Sequence, residues 1–376
     1  MNDFIPVNDP LIDGNEKKYL CECIDTGWIS SEGPFVKQFE EKFSARVGRK
    51  FGIAVSNGSV ALDLAVIALG IGSGDEVIMP AFTIISCAAA IVRAGAVPVL
   101  VDSDPVTWNM DVTQIEGKIT IKTKAIMVVH IYGLPVDMHP VLDLAKKYNL
   151  KIIEDAAEAH GQTYGGKPCG GFGDISTFSF YPNKLITTGE GGMVVVNDEA
   201  LAEKCRSLRN LCFQPGKRFV HQELGWNFRM SNIQAALGVA QIERLDGFVA
   251  IKKRMGAFYL ESLSDLEGIQ LPLAQTRYAQ NIYWVFGILL HDEFPLDSDD
   301  AIKLLAKDGI GTRPFFYPMH LQPVFIRMGL FAGERFPVAE KLSSKGFYIP
   351  SGLALTDAHM ERVCRGLKTI IREKRQ

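Results

Sequence analysis

Between Phe51 and Asn210 the chain alternates short apolar runs with helical segments, and this alternation constrains the fold more than any other feature. Strand-like runs stand at residues 51–56, 76–79, 97–102, 125–131, 151–155, 175–180 and 192–196. Helical stretches fall between them at 60–69, 85–93, 113–119 and 138–148, and another follows at 200–210. Apolar strands separated by amphipathic helices predict an α/β fold with a mostly parallel sheet covered on both faces.

Two helices are expected ahead of this region, at 16–26 and 35–47, the second with Phe35, Phe39 and Phe43 at helical spacing. A long helix is expected at 230–245. Beyond about residue 250 the pattern changes to a strand at 282–290, a helix at 299–307, an extended aromatic stretch at 313–318 and a closing helix at 356–372. That predicts a large domain over 1–250 and a smaller α+β domain over 251–376. With 47% hydrophobic residues in 376, the chain can bury two such cores.

Charge excludes some partners. A net charge of −3, with basic residues scattered apart from a cluster at 372–375, argues against nucleic acid and against a polybasic membrane contact. No apolar run approaches a membrane span, and residues 1–19 lack a signal-peptide pattern. The seven cysteines contain no CxxC pair, so free thiols in a reducing cytoplasm are expected, and no metal site.

Lys184 sits on a connector between two apolar strands, after Phe178-Ser179-Phe180-Tyr181 and before Gly189-Glu190-Gly191-Gly192. A lysine held there can lose solvation and become a usable amine nucleophile. A solvated loop lysine is the plainer reading of that residue alone. Four further segments bear on the choice. Asn57-Gly58-Ser59 lies between a strand and a helix, where free backbone N–H groups and a hydroxyl can cradle a phosphate; an ordinary capped turn has the same sequence. Asp155 closes the strand Ile152-Ile153-Glu154-Asp155, at the end where ligands of open α/β sheets bind; there a carboxylate suits a cationic nitrogen, or simply caps a loop. Residues 225–232 form a polar and aromatic entry to a helix, and 312–320 (TRPFFYPMH) an aromatic stretch with one arginine and one histidine. There is no GxGxxG opening a first βαβ unit, no GxxxxGK[ST], no GxSxG and no HExxH. A phosphate cradle, then a carboxylate at a strand end, then a lysine in a glycine-bounded loop is the order that would hold a phosphorylated pyridine aldehyde.

At this point the chain resembles the DegT/DnrJ/EryC1/StrS family of nucleotide-sugar aminotransferases. The resemblance runs through TGWISSEGP, SNGSVALDLA, GDEVIMP, VHIYG, IEDAAEAHG, GDISTFSFYPNKLITTGEGGM, WNFRMSNIQAALG and RPFFYPMH. It implies the type I aminotransferase fold and pyridoxal 5'-phosphate as cofactor. It makes Lys184 the covalent anchor and proton shuttle, Asp155 the partner of the ring nitrogen, and Glu158 the residue near the ring hydroxyl. Phosphate contacts fall on Gly58, Ser59 and Ser179, with Asn227 reaching in from the second chain of a homodimer. Trp28, Arg229, Tyr317 and His320 are the candidates for the sugar site. The implied reaction moves an amino group from L-glutamate to a nucleotide-linked 4-keto-6-deoxyhexose, GDP-4-keto-6-deoxymannose being the expected substrate, for surface-polysaccharide sugars. UDP- or dTDP-linked substrates and amination at carbon 3 are alternatives. So are a sugar dehydratase, against which the family's lysine rather than histidine speaks, and a non-catalytic sensor or scaffold. One departure stands out: where the family places an aromatic over the cofactor ring, this chain has Ile84, with Phe82 nearby.

Overall fold

The computed structural model describes residues 4–214 and 216–375. Its first strands are β1 (Phe51–Val55), β2 (Glu76–Pro80), β3 (Val97–Val101), β4 (Thr123–Val129) and β5 (Lys151–Asp155). A two-residue ribbon follows, β6 (Thr163–Tyr164) with β7 (Lys167–Pro168), and then β8 (Ile175–Ser179) and β9 (Gly192–Val196). Seven of these form one sheet in the order β1-β9-β8-β5-β4-β2-β3. All its pairings are parallel except those of β9, which runs against both neighbours.

Every residue of β9, and all of β4 except Lys124, is buried. Such unbroken apolar strands mark a sheet covered on both faces. The helices that cover it are α1 (Glu16–Thr26), α2 (Pro34–Arg46), α3 (Gly58–Ala68), α4 (Ile85–Arg93), α5 (Met138–Tyr148), α6 (Glu199–Arg209) and α7 (Asn232–Ile242). Alternation along β1 divides them. Ile53 and Val55 join a core with α3, α4 and α6, while Ala54 joins the core of α2 and α7.

The smaller sheet comprises β10 (Ile269–Gln270), β11 (Phe286–Leu290), β12 (Arg313–Pro314) and β13 (Gly346–Ile349), in the order β10-β11-β13-β12 and wholly antiparallel. It packs on α8 (Leu245–Leu263), α9 (Ser298–Lys307) and the closing helix (Asp357–Arg375) around Tyr259, Phe286, Phe347 and Leu367. Helix α8 belongs to both regions. Leu245 and Phe248 lie in the core with α2 and α7, whereas Met255, Tyr259 and Leu263 lie in the small-sheet core. Residue 250, where the sequence pattern changes, is inside this helix, and Ile5 from the other end of the chain also packs in the small-sheet core.

Four expected elements come out differently. The helix expected at 230–245 starts at Asn232, because Ser231 and Gln234 form a reciprocal capping box, and it ends at Ile242 before α8 begins. The helix expected at 113–119 is two short 3-10 turns, Val112–Gln114 and Glu116–Lys118. Strand β4 stops at Val129, because Tyr132 adopts a left-handed backbone (φ 56°) in the turn that follows. The strand expected from 282 starts only at Phe286, since Tyr283 is left-handed at φ 51°.

Candidate active site

The carboxyl end of β5 carries two buried carboxylates with different duties. Glu154 accepts hydrogen bonds from the amides of Gly170 (2.5 Å), Phe172 (2.8 Å) and Gly173 (3.1 Å), from Ser176 Oγ (2.9 Å) and from His130 Nε2 (3.0 Å). His130 Nδ1 accepts from the Val136 amide at 3.2 Å, which leaves Nε2 as the ring's donor. Although burial opposes its charge, these donors hold Glu154 down to about 2. Glu154 is therefore a structural knot that ties the 170–173 loop to the sheet.

Asp155, next along, is 2% exposed and has fewer partners: the Ala157 amide at 3.0 Å on one oxygen and Cys87 Sγ at 3.3 Å on the other. Burial raises its carboxyl, and the Ala157 amide and Lys184 oppose that rise. Glu158, one turn further on, accepts from the Tyr132 amide at 2.8 Å and lies 3.6 Å from Lys184 Nζ. Burial pushes it up to about 7, with the cationic Lys184 opposing.

Beyond β8, the Lys184 amide donates to the Tyr181 carbonyl at 2.9 Å, which closes a turn. The lysine side chain is only 12% exposed, and Nζ stands 4.0 Å from the centre of the Trp284 ring. On the other side of β8, α3 begins. Asn57 Oδ1 accepts from the Val60 amide and the Asn57 carbonyl from the Ala61 amide, which leaves the Gly58 and Ser59 amides ahead of the first helical bond. Glycine is required at position 58 by proximity: a Cβ there would meet Ser179 Cβ at 2.6 Å. Ser59 Oγ pairs with Ser86 Oγ at 2.8 Å.

These groups converge on one cavity of about 680 Å³ at the carboxyl ends of β4, β5 and β8. Of the residues expected at a cofactor, Gly58, Ser59, Asp155, Glu158, Ser179 and Lys184 all line it. Asn227 does not; it is exposed and bridges to Asn210. Among the sugar-site candidates, none is in the wall of this single chain's cavity. Trp28 and Tyr317 are half exposed, and an Nη of Arg229 donates to Asn210 Oδ1. His320 is 3% exposed, 3.0 Å from Glu340 and edge-on to Phe336. Ile84 lines the cavity, whereas Phe82 is fully buried among Tyr132, Phe315 and Phe316.

Sequence reasoning marked the 312–320 stretch, from which Phe316 enters the wall, but missed Trp284 and Tyr348, which add further aromatic wall from the C-terminal third of the chain, and Ser86 and Cys87 on α4. A spacing rule has nothing to read there, because their partners are distant in sequence.

The donor set fits a phosphorylated pyridine aldehyde. Free helix-start amides and three serine hydroxyls suit a phosphate, a buried carboxylate suits a protonated ring nitrogen, and an amine is at hand for the aldehyde. Two polar atoms of wall residues, Thr177 Oγ1 and Asn183 Oδ1, are buried without a partner in the protein.

Comparison with known proteins agrees with this geometry. The family model of the DegT/DnrJ/EryC1/StrS aminotransferases matches residues 10–368. The chain is 44% identical to the GDP-perosamine synthase of Caulobacter vibrioides across 98% of both chains. It is 42% identical to that of Escherichia coli O157:H7, across 99% of this chain and all of the other. The crystal structure of an aminotransferase from Psychrobacter cryohalolentis superposes with a TM-score of 0.92 over 99% of this chain, at 30% identity.

Proposed function

The chain belongs to the DegT/DnrJ/EryC1/StrS aminotransferase family and is a pyridoxal phosphate-dependent enzyme, and from that membership we propose that it aminates GDP-4-keto-6-deoxymannose to GDP-perosamine. The observation that carries the substrate is the full-length similarity to GDP-perosamine synthases at 42–44% identity. L-Glutamate is the amino donor in this reading, and the product is destined for a surface polysaccharide such as an O-antigen.

The cofactor supplies an electron sink for the carbon being aminated. The chain's own residues do the rest. Lys184 Nζ would hold the cofactor, and the free amine is the group placed to carry a proton to and from the reacting carbon. Trp284 at 4.0 Å and the low exposure of the lysine keep water from that amine. Asp155, buried and short of donors, would keep a proton on the ring nitrogen, and Glu158 would serve the ring hydroxyl. The amides of Gly58 and Ser59 and the hydroxyls of Ser59 and Ser179 bind the phosphate. Ile84, in the cavity wall, would cover the ring with an aliphatic side chain.

We assign the working unit as a homodimer with shared sites. Tyr181 and Ile84, both in the cavity wall, are 49% and 41% exposed in one chain, and Trp226 beside Asn227 is 37% exposed. Apolar surface of that kind at a cavity mouth suits a protein partner. In this arrangement Asn227 reaches the phosphate of the neighbouring copy, and Trp28, Arg229 and Tyr317 contribute to the sugar site from the same interface. His320 keeps its place among the candidates, although in one chain its ring is engaged with Glu340 and Phe336. A cytoplasmic setting fits seven cysteines that are all unpaired. Among the described residues no helix is long and apolar enough to cross a membrane.

The test is a screen of GDP-, UDP- and dTDP-linked 4-keto and 3-keto sugars with nitrogen-labelled glutamate, read by product mass. Label entering only the GDP-linked 4-keto sugar is expected. Label entering a UDP or dTDP sugar instead overturns the substrate. A product without label marks a dehydratase, and no cofactor adduct on Lys184 after borohydride marks a non-catalytic protein.

A further inference from the structure

Helix α8 carries a buried lysine that none of the roles above uses. Lys252 is 1% exposed and has no ion pair among the described residues. Its Nζ donates to the Trp284 carbonyl at 2.8 Å and to the Ser351 carbonyl. Burial alone pushes the amine down to about 7, yet even the neutral form keeps two N–H donors for those two acceptors. A lysine fully inside a protein without a carboxylate is costly, so what it holds in place is informative.

What it holds is the residue against Lys184. The Trp284 indole Nε1 donates to the Asn183 carbonyl at 2.7 Å, and the ring centre lies 4.0 Å from Lys184 Nζ. The stretch leading to Trp284 is unfavourable by itself. Tyr283 is left-handed at φ 51°, and the chain passes so near Gly133 that a Cβ there would meet the Trp284 amide at 2.6 Å. Ser351 braces the same segment from the other side, its Oγ accepting from the Phe286 amide at 2.8 Å. Lys252 lies midway along the helix shared by the two cores, between Phe248 and Met255.

We propose that Lys252 is a positioning residue for the amination: by clamping the Trp284 and Ser351 carbonyls it fixes the Trp284 indole over Lys184. The proposal rests on Lys184 being the reactive amine. Losing the clamp leaves two buried carbonyls short of a donor, and the segment shifts to reach water. The indole then leaves the amine, and the lysine is no longer confined.

The test uses the full chain with and without cofactor, as Lys252→Met, Trp284→Phe and the double variant. Each single change is expected to lower kcat about tenfold while KM for the nucleotide sugar stays within about twofold. The double variant loses no more than either single, because both act through one contact. In cofactor-free protein, trinitrobenzenesulfonate labels Lys184 about threefold faster in either single variant, read by peptide mass. Native labelling in Lys252→Met, or losses that multiply in the double variant, overturn the proposal. Trp284→Phe leaves every backbone carbonyl in place and carries the test by itself if Lys252→Met does not fold; native labelling there overturns the proposal equally. If Lys184→Ala keeps its turnover, the reading of Lys184 fails. If Lys184→Ala is inactive and Lys252→Met behaves as native, only the clamp fails.

Discussion

Lys184 Nζ stands 3.6 Å from Oε1 of Glu158, a carboxyl that burial pushes up to about 7. The pair places the amine proposed as the nucleophile beside a group whose charge changes near neutral pH. It also couples the reactive centre to β5, since Glu158 follows directly on the strand end that carries Asp155.

Replacing the amine is the most direct check on the reading of the site. Lys184→Ala is expected to lower turnover by roughly a thousandfold or more, since it removes both the anchor and the proton carrier. Borohydride reduction of the native holoenzyme should leave a cofactor adduct on the peptide containing Lys184, read by mass spectrometry. A variant that keeps amination above about a tenth of the native rate would show that another group carries the chemistry.

Glu158 makes a prediction about stability and pH. A carboxyl raised from 4.5 to about 7 on folding binds more protons in the folded state than in the unfolded state across that window. Its contribution is fully present below pH 4.5 and is lost as pH rises through about 7. Cofactor-free Glu158→Gln should therefore gain on the native protein as pH rises across this range, by on the order of 3 kcal/mol at most. Urea unfolding of both proteins at a series of pH values measures the difference; a flat difference contradicts the burial effect.

Gly58 tests the phosphate cradle. A methyl group there would meet Ser179 Cβ at 2.6 Å and Oγ at 2.9 Å, so one of the two strand-end elements has to move. Gly58→Ala is expected to cost about 1–3 kcal/mol of stability by overpacking. It should weaken cofactor binding about tenfold by displacing the helix-start amides, as measured by titrating the cofactor-free protein and following fluorescence. Native affinity in a destabilised protein would move the phosphate elsewhere.

Shared sites predict complementation. Lys184→Ala and Asn227→Ala copies, co-expressed, form mixed dimers in which one site carries both changes and the other carries neither. Activity of the mixture should rise to about a quarter of native, the share of intact sites in a statistical population of dimers. Activity no greater than the mean of the two separate variants would mean that Asn227 serves the site of its own chain.

Much of this molecule is local and therefore legible in the sequence. Strand and helix identity over the large sheet follow from apolar periodicity, and the unbroken runs of β4 and β9 already require cover on both faces. Asp155 and the Gly58-Ser59 turn are legible because each sits at the end of one element, where backbone geometry dictates what a side chain can reach, whereas Lys184 lies inside the connector between β8 and β9 and takes its expected role from the resemblance. The capping box that starts α7 is equally local, but its effect on the length of that helix became visible only with α8 in place.

Tertiary structure decided what surrounds the lysine. Asn183 and Trp284 are 101 positions apart, and their hydrogen bond depends on a left-handed Tyr283 and a close pass by Gly133 that no periodicity encodes. Ile84 and Phe82 are near neighbours, yet Ile84 faces the cavity as the cap of α4 while Phe82 is buried against Tyr132, Phe315 and Phe316. His320, in a motif-like stretch, went to Glu340 instead of the cavity. By itself the sequence determined the sheet and the order of the chemical groups, because these follow from local backbone preference and residue type, while the role proposed for Lys184 rests on the resemblance to the family. Which aromatic closes over that amine, and the buried Lys252 that holds it there, were decided by packing between distant segments.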